Sequence, residues 1–304
     1  MGRRREHVAA IDVGTNAARL KVARLRGGKL EVTHTERAAV RPGEGVFRSG
    51  VMPAAVVDRL VETLSRFADV IRFHRAEVGA VATSALRAAA NREAVVQRIA
   101  RESGVELRVI SGEEEARLTC LGVLAGSASE ERALCIDVGG GSTEVILGRG
   151  DAPAFLHSIE LGGVRLQEGV GSDDVAALRA AARACLRRLP PSLARTWVGS
   201  DATAVGCSGS VRALIAFATA GARRYVTRRE LSSAIEELGR MSPPTRARFF
   251  EPRRAAVVLP AAIILEQTME RLDLWAVRST RRGLRDGILL ELLRARGQRL
   301  TAAS

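Results

Sequence analysis

Residues 134–147 read LCIDVGGGSTEVIL, and this stretch decides the fold when it is set beside residues 9–22, which read AAIDVGTNAARLKV. Each stretch is an apolar segment ending in Ile-Asp-Val-Gly, followed by a turn of small residues and a second apolar segment. Two apolar runs joined by a glycine-containing turn predict a β-hairpin. The two hairpins open the two halves of the chain, so the sequence predicts an internal repeat.

The chemistry of these turns indicates an anion site. Glycine and other small residues leave backbone N–H groups accessible, so such a turn can wrap a phosphate group. The aspartate before each turn, Asp12 or Asp137, supplies the oxygen ligands that Mg²⁺ prefers. One such turn is typical of an ordinary hairpin, whereas two copies favour a function in phosphate and metal binding. Two hairpins that face each other across a cleft would clamp one phosphate and its metal.

The rest of the sequence alternates between strand and helix patterns. Strands are predicted at 8–13, 30–40, 77–83, 105–110, 155–161, 203–207 and 274–278. Helices are predicted at 53–73, 87–103, 113–124, 173–189, a segment that ends at 220, 227–241, 254–271 and 284–296. Ser111 with Glu114, and Thr227 with Glu230, have the spacing of a capping box. A chain of 304 residues with this α/β pattern allows two domains, predicted at 1–125 and 126–304 with the boundary at 126–129.

The composition favours an acidic partner. The chain has a net charge of +13 and a pI near 11.1, and only Lys21 and Lys29 are lysines. Abundant arginine is also typical of a GC-rich coding sequence, so a single arginine need not be functional. Aromatic residues make up 3% of the chain, which disfavours a stacking surface for nucleic acid bases. We therefore expect a phosphate chain without bases as the partner, and no nucleic acid.

Other sequence features favour a cytoplasmic protein. No apolar run reaches the roughly 18 residues of a membrane span, and the basic N-terminus leads directly into a strand pattern rather than a signal peptide. The four cysteines and four histidines lie far apart in sequence, so they predict reduced thiols and no zinc site. No membrane partner is expected.

Eight strings along the chain carry a resemblance to a known family. They are AIDVGTN (10–16), RPGEGV (41–46), TSALR (83–87), ISGEEEAR (110–117), IDVGGGSTE (136–144), ELGGVRL (160–166), CSGS (207–210) and GLRDG (283–287). On these residues the chain resembles the exopolyphosphatase / guanosine pentaphosphate phosphohydrolase (Ppx/GppA) family in its short two-domain form. The resemblance implies the α/β fold of actin, Hsp70 and the sugar kinases, with two ribonuclease-H-like lobes and a cleft between them. It also implies that residues 284–304 pack back on the first lobe, and that the protein forms a homodimer.

The resemblance also implies a role for each matching residue. Glu115 would activate the attacking water, and Arg87 and Glu144 would complete the catalytic set. Asp12, Asp137 and Glu144 would bind Mg²⁺ or Mn²⁺. The phosphates would be bound by Thr15, Asn16, Gly139, Gly140, Gly141, Ser142, Ser208, Gly209 and Ser210. Acidic residues also stabilise the first turn of a helix, so Glu114 is assigned to the helix cap, and whether Arg19 belongs to the site stays open.

The expected function is that of a phosphoanhydride hydrolase. An exopolyphosphatase would release orthophosphate from the ends of short or medium polyphosphate by metal-assisted attack of water, with a glutamate as base. The alternatives are removal of the 5′ γ-phosphate of guanosine pentaphosphate, a non-catalytic sensor of polyphosphate or alarmone, and an ATP-dependent kinase. The complete set of carboxylates disfavours the sensor, and a kinase would require an adenosine pocket. Longer family members hold long polyphosphate with further helical domains, so whether this chain acts processively on long polyphosphate stays open.

Two positions depart from the family pattern. Ala17 stands where the family usually has a small hydroxyl residue, and Ala256 stands where an acidic residue is common. At Ala17 we therefore expect one phosphate donor fewer than in the family.

Overall fold

The chain forms two units, each built around one of the repeated hairpins. The computed structural model describes residues 6–124, 132–149, 152–190, 193 and 204–297. The first unit comprises Met1–Glu131 and Arg282–Ser304, and the second comprises Arg132–Arg281. The boundary predicted at 126–129 lies outside the described residues.

Strands and helices alternate along the described residues. The strands are β1 (His7–Val13), β2 (Ala18–Arg26), β3 (Lys29–Ala38), β4 (Glu77–Ala82), β5 (Arg108–Val109), β6 (Arg132–Val138), β7 (Thr143–Arg149), β8 (Ala152–Ile159), β9 (Ala204–Gly206), β10 (Tyr225–Thr227) and β11 (Ala276–Ser279). The helices are α1 (Val46–Ser49), α2 (Ala54–His74), α3 (Ser84–Ala88), α4 (Arg92–Ser103), α5 (Gly112–Leu124), α6 (Gly163–Val170), α7 (Val175–Leu186), α8 (Gly209–Ala218), α9 (Arg228–Arg240), α10 (Pro243–Arg246), α11 (Pro252–Ala255), α12 (Val258–Arg271) and α13 (Leu284–Ala295).

The first unit contains a five-stranded sheet in the order β3-β2-β1-β4-β5. Strands β1, β2 and β3 form an antiparallel meander, whereas β1, β4 and β5 run parallel. The central strand β1 is buried from Val8 to Val13, as expected for a strand that is covered on both faces.

The second sheet repeats the topology of the first. Its order is β10-β11-β9-β6-β7-β8, with β6, β7 and β8 antiparallel and β6, β9 and β11 parallel. Read from the other edge, β8-β7-β6-β9-β11 corresponds to β3-β2-β1-β4-β5, and β10 is an added antiparallel edge strand. The internal repeat predicted from the two hairpins therefore extends over the whole sheet.

Helix α13 belongs to the first unit because it packs on α5 and β1. The two helices approach so closely that a Cβ on Gly287 would lie 1.8 Å from the backbone oxygen of Leu118. A Cβ on Gly122 would lie 2.1 Å from the backbone oxygen of Gly283. Only glycine permits this backbone approach, which fixes the position of α5 against the sheet.

Two predicted long helices are each broken in two, so these predictions were wrong. The helix predicted at 87–103 is divided between α3 and α4, because the side chain of Asn91 pairs with the backbone of Met52. Its Oδ1 accepts from Met52 N at 3.0 Å, and its Nδ2 donates to Met52 O at 3.0 Å. The helix predicted at 254–271 is divided between α11 and α12 at Ala256 and Val257, where Val257 packs against Gly163.

Shorter elements also differ from the prediction. The strand predicted at 105–110 contracts to β5, and α1, α6, α10 and β10 were not predicted. The remaining predicted elements are present, with ends that shift by up to three residues. Residue 203 of the predicted strand 203–207 lies outside the described residues.

The capping box predicted at the start of α9 is confirmed. Glu230 N donates to Thr227 Oγ1 at 3.3 Å, and Thr227 N donates to Glu230 Oε2 at 2.9 Å. These bonds to Thr227, together with the Arg223 guanidinium, lower the pKa of Glu230 from its ordinary value of 4.5 to about 2. The ionised Glu230 carboxylate is therefore the form that the folded protein favours.

We expect Glu230→Gln to destabilise the protein in a pH-dependent manner. Because the pKa of Glu230 is lower in the folded state, its ionised form adds stability above its ordinary pKa of 4.5. That contribution is lost as the pH falls through the folded value of about 2. The difference in unfolding free energy between wild type and variant should therefore shrink steadily as the pH falls below 4.5.

Urea denaturation between neutral and acidic pH measures this difference. Glu237→Gln removes a charge from an exposed position of the same helix and serves as the control. A difference for Glu230→Gln that stays constant with falling pH would contradict the prediction.

Candidate active site

In the first unit, three parallel strands end at one edge of the sheet and bring predicted site residues to it. Asp12 is next to the end of β1, α3 with Arg87 follows β4, and α5 with Glu115 follows β5. Thr83 N donates to Val13 O at 3.1 Å, and Ile110 N donates to Ala82 O at 3.0 Å, so the three strand ends stay in register. The carboxyl edge of such strands is where open α/β sheets bind ligands.

The turn of the first hairpin presents backbone donors. Gly14 N donates to Ala17 O at 3.1 Å and closes the turn. The carbonyls of Thr15 and Asn16 accept from the backbone N–H groups of residues 43 and 41, at 2.8 and 3.2 Å. The N–H groups of Thr15 and Asn16 have no acceptor within the described part of the chain. A turn with bonded carbonyls and available N–H groups suits an anion.

Asp12 and Arg19 form an ion pair beside this turn. Arg19 Nη1 donates to Asp12 Oδ2 at 3.1 Å, and the two residues are register partners on β1 and β2. Asp12 is buried, with 6% of its surface exposed. The sequence did not decide whether Arg19 belongs to the site. In the structure Arg19 lies next to Asp12, a predicted site residue.

Arg87 holds Glu115 in place. Arg87 Nη1 donates to Ile110 O at 2.8 Å and to Glu115 Oε2 at 3.3 Å. Both side chains are mostly buried, so the ion pair orients the Glu115 carboxylate at the edge of the sheet. The predicted base and the predicted catalytic arginine therefore lie in contact.

The neighbouring Glu114 has structural partners. Its backbone N donates to Ser111 Oγ at 3.1 Å, as expected for a helix cap. Arg117 donates to its carboxylate from Nε at 2.8 Å and from Nη2 at 3.0 Å, and this arginine holds the pKa of Glu114 below its ordinary value. Arg117 also contacts Glu291 of α13, which ties α5 to the closing helix.

In the second unit, Asp137, Glu144 and Ser158 form a row across β6, β7 and β8. Asp137 pairs with Glu144 in the sheet register, and Glu144 pairs with Ser158. Side chains of register partners lie on the same face of a sheet. Ser158 Oγ donates to Glu144 Oε1 at 2.8 Å, and Glu144 is only 2% exposed. The row thus collects two carboxylates and one hydroxyl.

The glycine turn at 139–142 repeats the design of the first turn. Gly139 N donates to Ser142 O at 2.9 Å, which is the counterpart of the bond from Gly14 to Ala17. The carbonyls of Gly139 and Gly140 accept from the first backbone N–H groups of α6, at 2.8 to 3.1 Å. Over the described ranges, the N–H groups of Gly140, Gly141 and Ser142 have no acceptor. This turn therefore also offers donors to an anion.

The end of β9 brings the start of α8 close to the end of β6, the strand that leads into the glycine turn. Cys207 N donates to Ile136 O at 3.0 Å, so Ser208 follows β9 beside the end of β6. Ser208 Oγ accepts from Val211 N at 3.0 Å and is used as the helix cap. Gly209 and Ser210 occupy the first turn of α8, where N–H groups favour an anion.

Two arginines near these turns were not predicted. Arg165 Nε donates to Gly141 O at 2.8 Å, so it fixes the last glycine carbonyl of the turn. A Cβ on Gly209 would lie 3.3 Å from Arg254 Nη2, which places this guanidinium over the start of α8. Arg165 lies in the string ELGGVRL, so the resemblance contained a signal for it, whereas no local pattern marks Arg254.

The donor set in the second unit fits magnesium. Mg²⁺ commonly uses one or two carboxylates and keeps several of its waters. Asp137 and Glu144 supply two such groups on one face of the sheet, and Asp12 lies in the first unit. Among the described residues, no group of three or more His, Cys, Asp or Glu could hold a metal ion by itself. The bound metal stays a prediction.

Comparisons with known proteins identify the family. Residues 21–296 match the model of the Ppx/GppA phosphatase family, so the chain belongs to the Ppx/GppA phosphatase family. Exopolyphosphatase 2 of Mycobacterium tuberculosis is 33% identical, over 94% of this chain and 98% of that protein. Exopolyphosphatase 1 of Mycobacterium bovis is 34% identical, over 94% of this chain and 88% of that protein.

Solved structures agree with this assignment. The Ppx/GppA family member of Aquifex aeolicus is 26% identical with a TM-score of 0.76, over 95% of this chain and 98% of that chain. An exopolyphosphatase-like protein is 27% identical with a TM-score of 0.84, over 95% and 99% of the two chains. The predicted family and the predicted actin-like α/β fold are thus confirmed.

Two other predictions concern location and assembly. None of the helices in the described residues has the length and apolar character required to cross a bilayer. The cytoplasmic location and the homodimer stay predictions.

Proposed function

We propose that this protein is an exopolyphosphatase that releases orthophosphate from the ends of inorganic polyphosphate. The observation that carries the proposal is the pair of matching turns at 14–17 and 139–142. Each has bonded carbonyls, backbone N–H groups that lack an acceptor among the described residues, and an aspartate two residues before the turn. The names of the mycobacterial relatives support polyphosphate as the substrate.

The residues of this chain account for the steps of such a hydrolysis. Cleavage of a phosphoanhydride depends on positioning and on stabilising negative charge in the transition state. The N–H groups of the two turns and the start of α8 would bind the phosphate oxygens. Arg87 would bind the terminal phosphate while it orients Glu115. The Glu115 carboxylate would accept the proton of the attacking water.

A divalent metal would complete the site. Asp137 and Glu144 would hold Mg²⁺ or Mn²⁺, with Asp12 as a further predicted ligand. When bound, the ion would neutralise negative charge on the phosphate oxygens. Ser158 would keep Glu144 oriented through its 2.8 Å hydrogen bond.

The alternative substrate is guanosine pentaphosphate, which the sequence resemblance also implies. Aromatic residues make up only 3% of the chain, and few are available to stack on a guanine, which favours polyphosphate. A sensor without turnover is disfavoured by the presence of Asp12, Glu115, Asp137 and Glu144.

Phosphate release from defined substrates tests the proposal. The purified protein is incubated with Mg²⁺ or Mn²⁺ and with polyphosphates of defined length, or with guanosine pentaphosphate. We expect metal-dependent release with a higher kcat/KM for short and medium polyphosphate than for the nucleotide. The absence of release from every chain length with either metal would overturn it, and binding without turnover would identify a sensor.

We expect Glu144→Gln to raise the metal concentration that gives half-maximal activity. The substitution replaces one of two neighbouring carboxylates by a neutral amide, so affinity for a divalent cation should fall by about tenfold or more. A titration of activity against Mg²⁺ measures the shift. Glu237→Gln removes a charge from an exposed helical position of the same unit and should leave the titration unchanged. An unshifted titration for Glu144→Gln would exclude this residue as a ligand.

A further inference from the structure

A cavity lined by arginines lies in the second unit, between α7, α9 and α12. It has a volume of about 630 Å³. That volume lies in the range of about 300–1,000 Å³ that small-molecule sites usually have. We call it the arginine cavity; its charged lining residues are Arg179, Arg183, Arg228, Arg229, Glu266 and Glu270.

The arginine cavity is separate from the glycine turn of the same unit. Gly163, at the start of α6 beside the turn, packs against Val257 and Ala261 at the beginning of α12. The cavity is lined by Glu266 and Glu270, further along the same helix. Glu266 is nine positions after Val257 in the sequence. At 1.5 Å per helical residue, this is a distance of roughly 13 Å.

One wall of the cavity is held by paired arginines. Arg179 forms a bidentate pair with Glu266, from Nε at 2.8 Å and from Nη2 at 2.9 Å. Arg183 Nε donates to Gln267 Oε1 at 3.0 Å, and its Nη2 donates to Glu270 at 3.3 Å. Glu266 is buried, so its charge is offset by Arg179. Both acidic lining residues, Glu266 and Glu270, are therefore already paired with arginines.

Helix α9 contributes two further arginines to the lining, Arg228 and Arg229. In the described part of the chain, no acidic group or hydrogen-bond acceptor contacts the guanidinium of Arg228 or of Arg229. The backbone at this helix start is mostly satisfied, because Arg228 N donates to Trp275 O at 2.9 Å and Thr227 caps Glu230 N. The positive charge that no described acidic group offsets thus comes from these two side chains, and an anion in the cavity would offset it.

We propose that the arginine cavity binds a phosphate-bearing anion, with Arg228 and Arg229 as its main ligands. A guanidinium presents a planar pair of donors that matches the oxygens of a phosphate group. No aromatic side chain is among the residues that line the cavity, so the ligand needs no base. Its size accommodates more than one phosphate group, which favours a short oligophosphate over orthophosphate. This inference does not depend on the catalytic assignment.

Calorimetry with diimidotriphosphate, whose P–N–P bridges resist hydrolysis, tests the proposal on the full chain. We expect Arg228→Ala/Arg229→Ala to weaken one class of sites by about 100-fold, because the variant removes both charge-assisted guanidinium–phosphate contacts. Arg187→Ala/Arg188→Ala removes the same charge from exposed positions after α7 and should bind like wild type. Identical isotherms for wild type and the Arg228/Arg229 variant would overturn the proposal.

A second measurement needs no variant. Phenylglyoxal modification of each arginine is followed by mass spectrometry, with diimidotriphosphate or with orthophosphate present. Protection of Arg228 and Arg229 but not of Arg187 and Arg188 supports binding in the arginine cavity. Protection by diimidotriphosphate at a lower concentration than orthophosphate requires supports an oligophosphate as the ligand. Equal modification with and without either anion would overturn it. Because hydrolysis is not the readout, failure here leaves the proposed exopolyphosphatase activity untouched.

Discussion

Glu115→Gln is expected to lower kcat for orthophosphate release by about 10²–10⁴-fold, with little change in KM. That range is the usual contribution of a general base. The amide keeps the size of the side chain but cannot accept the proton of the attacking water. Since the phosphate would be bound by the turns, α8 and Arg87, binding should survive the change. Initial rates against polyphosphate concentration, at saturating Mg²⁺, separate kcat from KM.

The matched control is Glu113→Gln. Glu113 lies in the same first turn of α5 and is exposed, so the substitution removes the same charge from the same helix. It should leave kcat within about twofold of wild type, because surface substitutions of this kind have small effects. If Glu115→Gln retained wild-type kcat, another residue would have to activate the water.

The parts of the fold that were predictable are those encoded in local sequence. The two Ile-Asp-Val-Gly stretches form central strands that are buried and apolar, so their patterns are strong. Helix α9 was also predicted, because Thr227 and Glu230 have the spacing of a capping box and form one. Local chemistry and tertiary structure agree at these positions.

The parts that were missed depend on contacts distant in sequence. The break between α3 and α4 follows from the pairing of Asn91 with Met52, 39 residues earlier. Helix α6 starts at a Gly-Gly pair whose local sequence does not favour a helix. Its first N–H groups bond to the carbonyls of the glycine turn, more than 20 residues earlier, and this contact helps to form the helix end.

In the candidate site too, some residues could be predicted from the sequence and others depend on contacts distant in sequence. The resemblance placed Arg87 and Glu115 in one site, and the structure brings them to 3.3 Å. Arg254 approaches Gly209 only through the folded chain, and sequence spacing gave no sign of it.

The two repeated hairpins have the same strand pairing but carry different charges at one register position. At the same register position, Asp12 faces Arg19 in the first hairpin, whereas Asp137 faces Glu144 in the second. An aspartate beside an arginine has its charge compensated within the protein, while two neighbouring carboxylates favour a cation between them. We therefore propose the second hairpin rather than the first as the main source of metal ligands, although the two sequences share the Ile-Asp-Val-Gly string.

Gly162→Ala is expected to lower kcat/KM by about 100-fold or more. The backbone of Gly162 is extended, with φ −146° and ψ 166°, so alanine is allowed there. The added Cβ would lie 2.4 Å from Gly140 C and from Gly141 N, which are backbone atoms of the glycine turn. The turn must shift to admit it, and a displacement of about 1 Å at a binding group can cost about 10²-fold in rate.

Gly169→Ala is the matched control, because it adds the same methyl group within α6. Among the described residues, no heavy atom outside the local helix backbone lies within 4 Å of that position. This variant should retain wild-type kcat/KM and gain slightly in stability, since alanine favours a helix more than glycine. Thermal unfolding of both variants shows that the comparison is made on folded protein. A folded Gly162→Ala variant with wild-type kcat/KM would mean that the glycine turn does not hold the phosphate, because the three atoms nearest to the added methyl group all belong to that turn.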